Sequence, residues 1–241
     1  MIKVSNLIIR YPKVIAVEDV SIHLKEGVIY GLAGPNGAGK SSFIKALVGM
    51  IAEYEGDIHF DDYSYVKDRY AIKSLFGYAP EDPDLYPYLT GKEYLQLIAD
   101  IRQVDAAKQI KLFETEFGLD DVFDDLINRY SHGMRQKISF LAALIGEPKN
   151  LILDEALNGF DPISQYNAKK ILLNLAKKGH TILLSSHVLE LLENWCQEII
   201  ILSAGKVLAE YTSEQIEKIK SKTGKSFNDH FISLVQGQKN Q

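Results

Sequence analysis

The sequence predicts an α/β fold, and the strongest indication is one glycine-rich turn between a strand and a helix. Residues 34–41 read Gly-Pro-Asn-Gly-Ala-Gly-Lys-Ser. They follow the apolar, strand-like run 28–33 and precede the helical stretch 42–48. A turn of this composition in this context is typical of a loop that cradles phosphate groups. Strand-like runs return after a helical segment, which completes the α/β prediction.

The chemistry of this loop favours a bound nucleotide. Its glycines let backbone N–H groups point at an anion, and the helix N-terminus adds partial positive charge. We expect Lys40 to reach the β- and γ-phosphates and Ser41 to place its hydroxyl on Mg²⁺. The alternative, a glycine-rich turn with an incidental lysine, fits the flanking strand and helix less well. The predicted nucleotide contacts in this loop are Gly34, Pro35, Asn36, Gly37, Ala38, Gly39, Lys40, Ser41 and Ser42.

Length, net charge and cysteine content indicate which classes of protein the chain can belong to. The chain has 241 residues, enough for one well-buried core. A net charge of −5 disfavours nucleic acid as the main partner, because binding phosphate backbones requires a basic surface. The single cysteine, Cys196, excludes an internal disulfide and is typical of a reducing cytosol.

Hydropathy favours a cytoplasmic chain. The N-terminal residues lack a signal-peptide pattern, and apolar runs such as 140–145 are far shorter than a membrane span. Any membrane role is therefore expected to come through a partner.

Short alternating or β-branched runs predict the strands of the core. The predicted strands are 2–10, 20–24, 28–33, 57–60, 75–79, 151–154, 181–185, 198–203 and 206–211. We expect one domain over residues 1–241, with an α/β core formed by 1–84 and 148–215. A helical subdomain over 85–147 and a C-terminal helical extension over 216–241 complete it.

Capping patterns predict the helices. A capping box at Thr90 opens the first helix of the insert, Asp105 is expected to cap a second that ends at Gly118, and a third runs over 133–145. Asp161-Pro162 begins a further helix ending near residue 179. Ser226 and Asp229 form a capping box for the last helix.

Two acids end the apolar run 151–153, and they predict a catalytic edge of the sheet. Asp154 is placed to support Mg²⁺, as the strand-end Asp does in P-loop NTPases. Glu155 is placed to polarise an attacking water as general base. A pair of acids opening a loop is the alternative, which the presence of the phosphate loop makes weaker.

Residues 130–137 indicate which family of phosphate-binding proteins the chain resembles. They read Tyr-Ser-His-Gly-Met-Arg-Gln-Lys and place a serine at a helix start, where free N–H groups form an anion site. The segment resembles the signature of the ATP-binding cassette (ABC) family, Leu-Ser-Gly-Gly-Gln followed by a basic residue. Ser131, Gly133 and the stretch 135–137 match. The form Ser-x-Gly-Met, with Met134 in last place, is common in the exporter-like (ABC-2-type) branch.

The resemblance extends over about residues 1–215 and implies the architecture. It implies a RecA-like core with a mixed sheet, an antiparallel β subdomain and the ABC helical subdomain. It also implies that two cassettes bind ATP at their interface, each nucleotide contacting the phosphate loop of one and Ser131, Gly133 and Met134 of the other.

The same resemblance assigns roles to further residues. Tyr11 stands where the family stacks an aromatic ring on adenine. His187 matches the switch histidine that contacts the γ-phosphate. The loop 158–161, which ends at Asp161, resembles the segment that reaches the nucleotide site of the opposite subunit.

Glu81 departs from the family, which usually has glutamine at this position. A glutamate keeps an oxygen ligand for Mg²⁺ but adds charge near the phosphates. Glu81 is therefore either a metal ligand of altered strength or a solvated loop acid.

The implied function is that of the ATP-binding and ATP-hydrolysing subunit of a transporter, with ATP and Mg²⁺ as cofactors. The implied partners are a second ABC ATPase subunit, in a homo- or heterodimer, and an integral membrane permease. The permease is expected to dock on the loop 82–89. This contact would hold the chain peripherally on the inner face of the membrane. Export is favoured over import. Two alternatives stay open: a soluble ABC ATPase uncoupled from transport, and a regulatory cassette with weak hydrolysis, motivated by Glu81 and His132.

Overall fold

The computed structural model describes residues 1–239, and its strands form two sheets. In chain order the strands are β1 (Ile2–Tyr11), β2 (Val14–Leu24), β3 (Ile29–Ala33), β4 (Glu55–Phe60), β5 (Tyr63–Ser64), β6 (Phe76–Ala79), β7 (Asn150–Asp154), β8 (Thr181–Ser185), β9 (Glu198–Ser203) and β10 (Lys206–Thr212).

Helices surround these sheets and fill the interval between β6 and β7. They are α1 (Lys40–Leu47), α2 (Arg69–Ser74), α3 (Gly91–Arg102), α4 (Ala107–Glu116), α5 (His132–Leu144), α6 (Pro162–Lys177), α7 (Leu189–Trp195), α8 (Ser213–Thr223) and α9 (Phe227–Lys239). None of the helices within residues 1–239 has both the length and the apolar character required to cross a bilayer.

The larger sheet has the order β10-β9-β3-β8-β7-β6, and its strands are parallel except for β10. The smaller sheet is antiparallel, in the order β2-β1-β4-β5. This arrangement confirms the predicted α/β class with a mixed sheet and an antiparallel β unit.

The parallel strands are buried on both faces. In β3, Tyr30 and Leu32 pack with α1 and the antiparallel sheet, whereas Ile29 and Ala33 pack with the helical side of the core. Such strands read as continuous apolar runs because helices or a second sheet cover each face. The edge formed by the carboxyl ends of β3, β7 and β8 is thereby held between two packed layers.

Two helix predictions differ from the structure. Helix α4 begins at Ala107 with Ala106 as N-cap, so Asp105 is not the cap; its carboxylate instead accepts one bond from the N–H of Ala107 at 3.2 Å. Helix α8 was not predicted as a separate helix. Thr212 ends β10 and caps α8 through a Thr-x-x-Gln capping box, a signal already present in the sequence.

Candidate nucleotide-binding site

The phosphate loop connects β3 to α1 and is held in shape by its glycines. Gly39, just before α1, has φ of 101°, and a Cβ built there would lie 2.2 Å from the carbonyl oxygen of Ala16. Only glycine fits both constraints. The ammonium of Lys40 donates to the carbonyl oxygen of Gly34 at 2.8 Å, which folds the lysine back over the loop.

One open cavity of about 870 Å³ gathers most of the sequence-predicted residues. Its lining includes Tyr11, Asn36, Gly37, Ala38, Gly39, Lys40, Ser41, Ser42, Glu81, Glu155 and His187. Tyr11 is 44% exposed, and its hydroxyl lies 3.4 Å from the Ser42 hydroxyl. An exposed aromatic face beside a phosphate loop suits the stacking of a nucleotide base.

The buried acid at the end of β7 is oriented by a residue that the sequence did not single out. Asp154 and Ser185 are direct neighbours in the pairing of β7 with β8. The Ser185 hydroxyl donates to Asp154 at 2.6 Å and accepts the N–H of Glu155 at 2.9 Å. Ser185 therefore fixes both acids through one side chain.

The electrostatics of Asp154 favour a cation. Burial raises the pKa of this carboxyl above its usual value, and the nearby charges of Glu81 and Glu155 raise it further, against the lowering effects of Ser185 and Lys40. A divalent cation at this edge would relieve the repulsion, and the available donors are oxygens of the kind that Mg²⁺ prefers. Within the described residues no three His, Cys, Asp or Glu side chains are grouped to hold a metal alone.

Glu155 and His187 form a pair at the mouth of the cavity. Glu155 has a left-handed φ of 50° and is 8% exposed, and its carboxylate lies 2.9 Å from Nδ1 of His187. The amide of Asn158 donates to the same carboxylate oxygen at 3.4 Å. The sequence predicted Glu155 and His187 as site residues. The contact with Asn158 was not predicted, because it depends on a turn that the sequence pattern does not specify.

The segment at the start of α5 lies apart from this cavity. Ser131 is exposed and accepts the N–H of Met134 at 3.2 Å as the helix N-cap. Gly133 packs against the following loop so closely that a Cβ there would lie 2.7 Å from the carbonyl oxygen of Gly159. Within the described residues, Ser131, Gly133 and Met134 do not line the cavity that contains Lys40.

Asp161 is also outside that cavity, and its bonds are structural ones. It caps α6 by accepting from the N–H and hydroxyl of Ser164 at 2.9 and 2.7 Å, and it pairs with Lys137 at 2.7 Å. Burial by itself raises the pKa of Asp161, but Lys137 and Ser164 together hold it below its usual range. Asp161 is thus charged at neutral pH and connects α6 to α5.

A groove of about 710 Å³ lies on the far side of the loop after β6. Pro80, Pro83 and Leu85 line it from the loop, and Tyr94 and Ile98 from α3. Tyr86 is 61% exposed, and its ring centre lies 6.1 Å from that of Tyr94. Aromatic surface therefore borders the groove and continues into solvent.

Comparisons with known proteins agree with this geometry. A family profile described as "ABC transporter" matches residues 17–158. An uncharacterised ABC transporter ATP-binding protein of Nostoc sp. is 35% identical over 209 residues, covering 85% of this chain and 62% of that relative. The lantibiotic transport ATP-binding protein SrtF of Streptococcus pyogenes is 31% identical, covering 91% of this chain and 95% of SrtF.

A solved structure extends the likeness to the fold. A protein described as the ATP-binding subunit of an ABC transporter superimposes with a TM-score of 0.89 at 30% identity, over 98% of this chain and 99% of that one. Motif, cavity and overall topology thus agree, and the chain belongs to the ABC transporter family as one of its ATP-binding, ATP-hydrolysing cassettes.

Proposed function

We propose that this cassette powers a separate membrane permease, and that it does so as half of a dimer. The observation that carries the proposal is the division of the site. Lys40, Glu155 and His187 share one cavity, whereas Ser131 and Gly133 lie outside it on an exposed helix start. A second cassette related by two-fold symmetry would bring its own Ser131 to this cavity and receive this one in exchange.

Each residue of the cavity has a chemical task in this proposal. Tyr11 stacks on the base, and Lys40 turns from the Gly34 carbonyl to the phosphates. Glu155 takes a proton from water as the water oxygen attacks the γ-phosphorus, and the bond to the β–γ bridging oxygen breaks to release ADP and phosphate. His187 holds the Glu155 carboxylate through Nδ1 and has its second ring nitrogen available for the γ-phosphate.

Mg²⁺ is the metal that the oxygen donors fit. Ser41 and Asp154 would hold it, with Glu81 as a further oxygen donor on the cavity wall. When bound, the ion neutralises charge that develops on the transferred phosphoryl group.

Nucleotide binding would close the dimer, because the phosphates contact both cassettes only in the closed form. Hydrolysis removes that differential affinity, and the dimer opens again. The closing and opening motion is the work that the permease receives.

The groove beside Tyr86 is the proposed docking site of the permease. Its apolar and aromatic lining suits a short helix from a membrane subunit, which would hold this chain at the inner face of the membrane. The Ser-x-Gly-Met form at Ser131 and the similarity to a lantibiotic transport protein both support export over import.

The docking proposal is tested with Tyr86→Ala. Exposed aromatic side chains dominate interface energies, so we expect this substitution to weaken retention of the permease by about tenfold or more. The measurement is co-purification of a multi-span membrane protein with the tagged chain, together with ATP-driven transport. Tyr63→Ala, at an exposed tyrosine of the antiparallel sheet, is the matched control and should change neither.

Wild-type binding and transport in Tyr86→Ala would refute docking at this groove. Recovery of ribosomes or DNA in place of a membrane protein with the wild-type chain would refute the transporter assignment itself.

A further inference from the structure

A buried amide connects helix α5 to the loop that carries Glu81. Gln136 lies five residues after Ser131 in the chain and is 0% exposed. Its Nε2 donates to the backbone carbonyl oxygen of Glu81. Its Oε1 is also buried and has no hydrogen-bond partner among the described residues.

The half-paired amide stands out because buried polar groups are nearly always bonded at every atom. On helix α4, a half-buried glutamine uses both ends of its amide. Gln109 donates to the carbonyl of Leu144 at 3.0 Å and accepts the N–H of Gly146 at 3.2 Å, so both ends of that amide are used. The contrast shows that the Oε1 acceptor of Gln136 is left without a partner among the described residues.

The loop held by Gln136 lies between the two functional surfaces. The side chain of Glu81 lines the nucleotide cavity, and Pro80 and Pro83 line the groove. On α5, Ser139 faces the same groove one turn after Gln136, and Ser131 stands at the exposed start. The Gln136 side chain therefore joins the helix that begins beside Ser131 to the loop that borders both the nucleotide cavity and the groove.

We propose that Gln136 is a positioning residue that makes the place of Glu81 in the nucleotide cavity follow the movement of α5. The residue contacts neither nucleotide nor permease, and it acts through the backbone of Glu81. This inference rests on the proposed role of Glu81 at the nucleotide and adds the part that sets its position.

The test is steady-state ATPase kinetics of the full chain with Gln136→Met. Methionine conserves the volume of glutamine but has no N–H, so the fold is kept while the bond to Glu81 is lost. We expect kcat to fall about tenfold, the factor that one lost hydrogen bond contributes. The KM for ATP should stay within about twofold, because the phosphate loop and Tyr11 do not contact Gln136.

A second variant separates hydrogen bonding from packing. Gln136→Asn leaves a larger void than methionine but keeps a donating amide. The proposal predicts a kcat for Gln136→Asn above that of Gln136→Met, whereas a packing role predicts the reverse order. Hydrogen exchange of the loop 80–85 should be faster in Gln136→Met than in wild type, while exchange of the phosphate loop stays the same.

Gln109→Met is the matched control, since it removes both amide bonds to the far end of α5 and should lower thermal stability without changing kcat. The inference would be overturned if Gln136→Met had the kcat of wild type. It would also be overturned if Gln136→Met and Gln109→Met, at similar thermal stability, lowered kcat by the same factor. Should Gln136→Met not fold, Gln136→Asn against Gln109→Met decides by the same criterion. Failure of the wild-type chain to hydrolyse ATP would instead contradict the cassette function and is seen separately.

Discussion

In the proposed mechanism the chemistry depends on Glu155, and contacts from three directions hold this residue in place. Ser185 holds its N–H at 2.9 Å, His187 lies 2.9 Å from its carboxylate, and Asn158 donates to the same oxygen. Its left-handed backbone at φ of 50° is costly for a residue with a side chain. Such conformations persist where the surrounding structure holds them, and they are frequent at functional sites.

The role of Glu155 as base is tested with Glu155→Gln. The amide keeps the size and the hydrogen bonds of the side chain but cannot accept the proton of water. We expect kcat to fall by about a hundredfold or more, the usual contribution of a general base, with ATP affinity unchanged. Phosphate release and nucleotide binding are measured side by side, with Glu190→Gln, an exposed acid on α7, as the control. Near-normal turnover in Glu155→Gln would remove it as the base.

Motif order predicted several residues that lie together in one cavity, whereas the contacts that support them depend on the tertiary structure. Tyr11, Lys40, Glu155 and His187 were predicted at their positions in the chain, and they line one cavity. Ser185 was only the last residue of a predicted strand, because its contact with Asp154 depends on the register of β7 with β8. The ion pair between Lys137 and Asp161 was not predicted either, because it depends on how helix α5 packs against the start of helix α6.

At the scale of elements, the start of α5 and the loop before α6 behave as one packed unit. Gly133 contacts Gly159 closely, and Lys137 bonds to Asp161 and to the carbonyl of Phe117. The exposed Ser131 therefore rests on a support built from α4, α5 and α6. A support of this kind is what a surface needs if it is to present a serine to another molecule.

Two helical glycines make a matched test of this packing. Gly133→Ala forces a Cβ to within 2.7 Å of a backbone oxygen, so we expect the free energy of unfolding to fall by about 1–3 kcal/mol. Gly237→Ala in α9 meets nothing within 4 Å, and it should leave stability unchanged or raise it by up to about 1 kcal/mol. Chemical denaturation measures both. Equal effects of the two substitutions would show that the Gly133 contact does not constrain α5.

Elements with strong local signals were predicted well, and short ones were not. The strands at 181–185 and 198–203 agree with β8 and β9, and the Thr90 capping box opens α3 as expected. The two-residue strand β5 and the six-residue α2 were missed, since neither is long enough to show periodicity. Asp105 resembled a helix cap, but its carboxylate serves only the turn before α4.

At the scale of the whole molecule, the larger sheet separates two hydrophobic clusters and carries the site on one edge. One cluster packs β3, α1 and the antiparallel sheet, and the other packs the sheet against α3 to α7. This frame supports Lys40 and Glu155 from within, but Ser131 faces outward on the described surface. Under the proposed dimer, a chain folded in this way supplies one half of a nucleotide site from its cavity and the other half from its exterior.

The division of the site predicts dimerisation that depends on nucleotide. In analytical ultracentrifugation, the Glu155→Gln chain should be monomeric alone or with ADP and dimeric with ATP and Mg²⁺. Adding Ser131→Arg should abolish the dimer, while Ser221→Arg, on an exposed face of α8, should leave it intact. A monomer at saturating ATP, or a dimer that survives Ser131→Arg, would contradict a site shared between two copies.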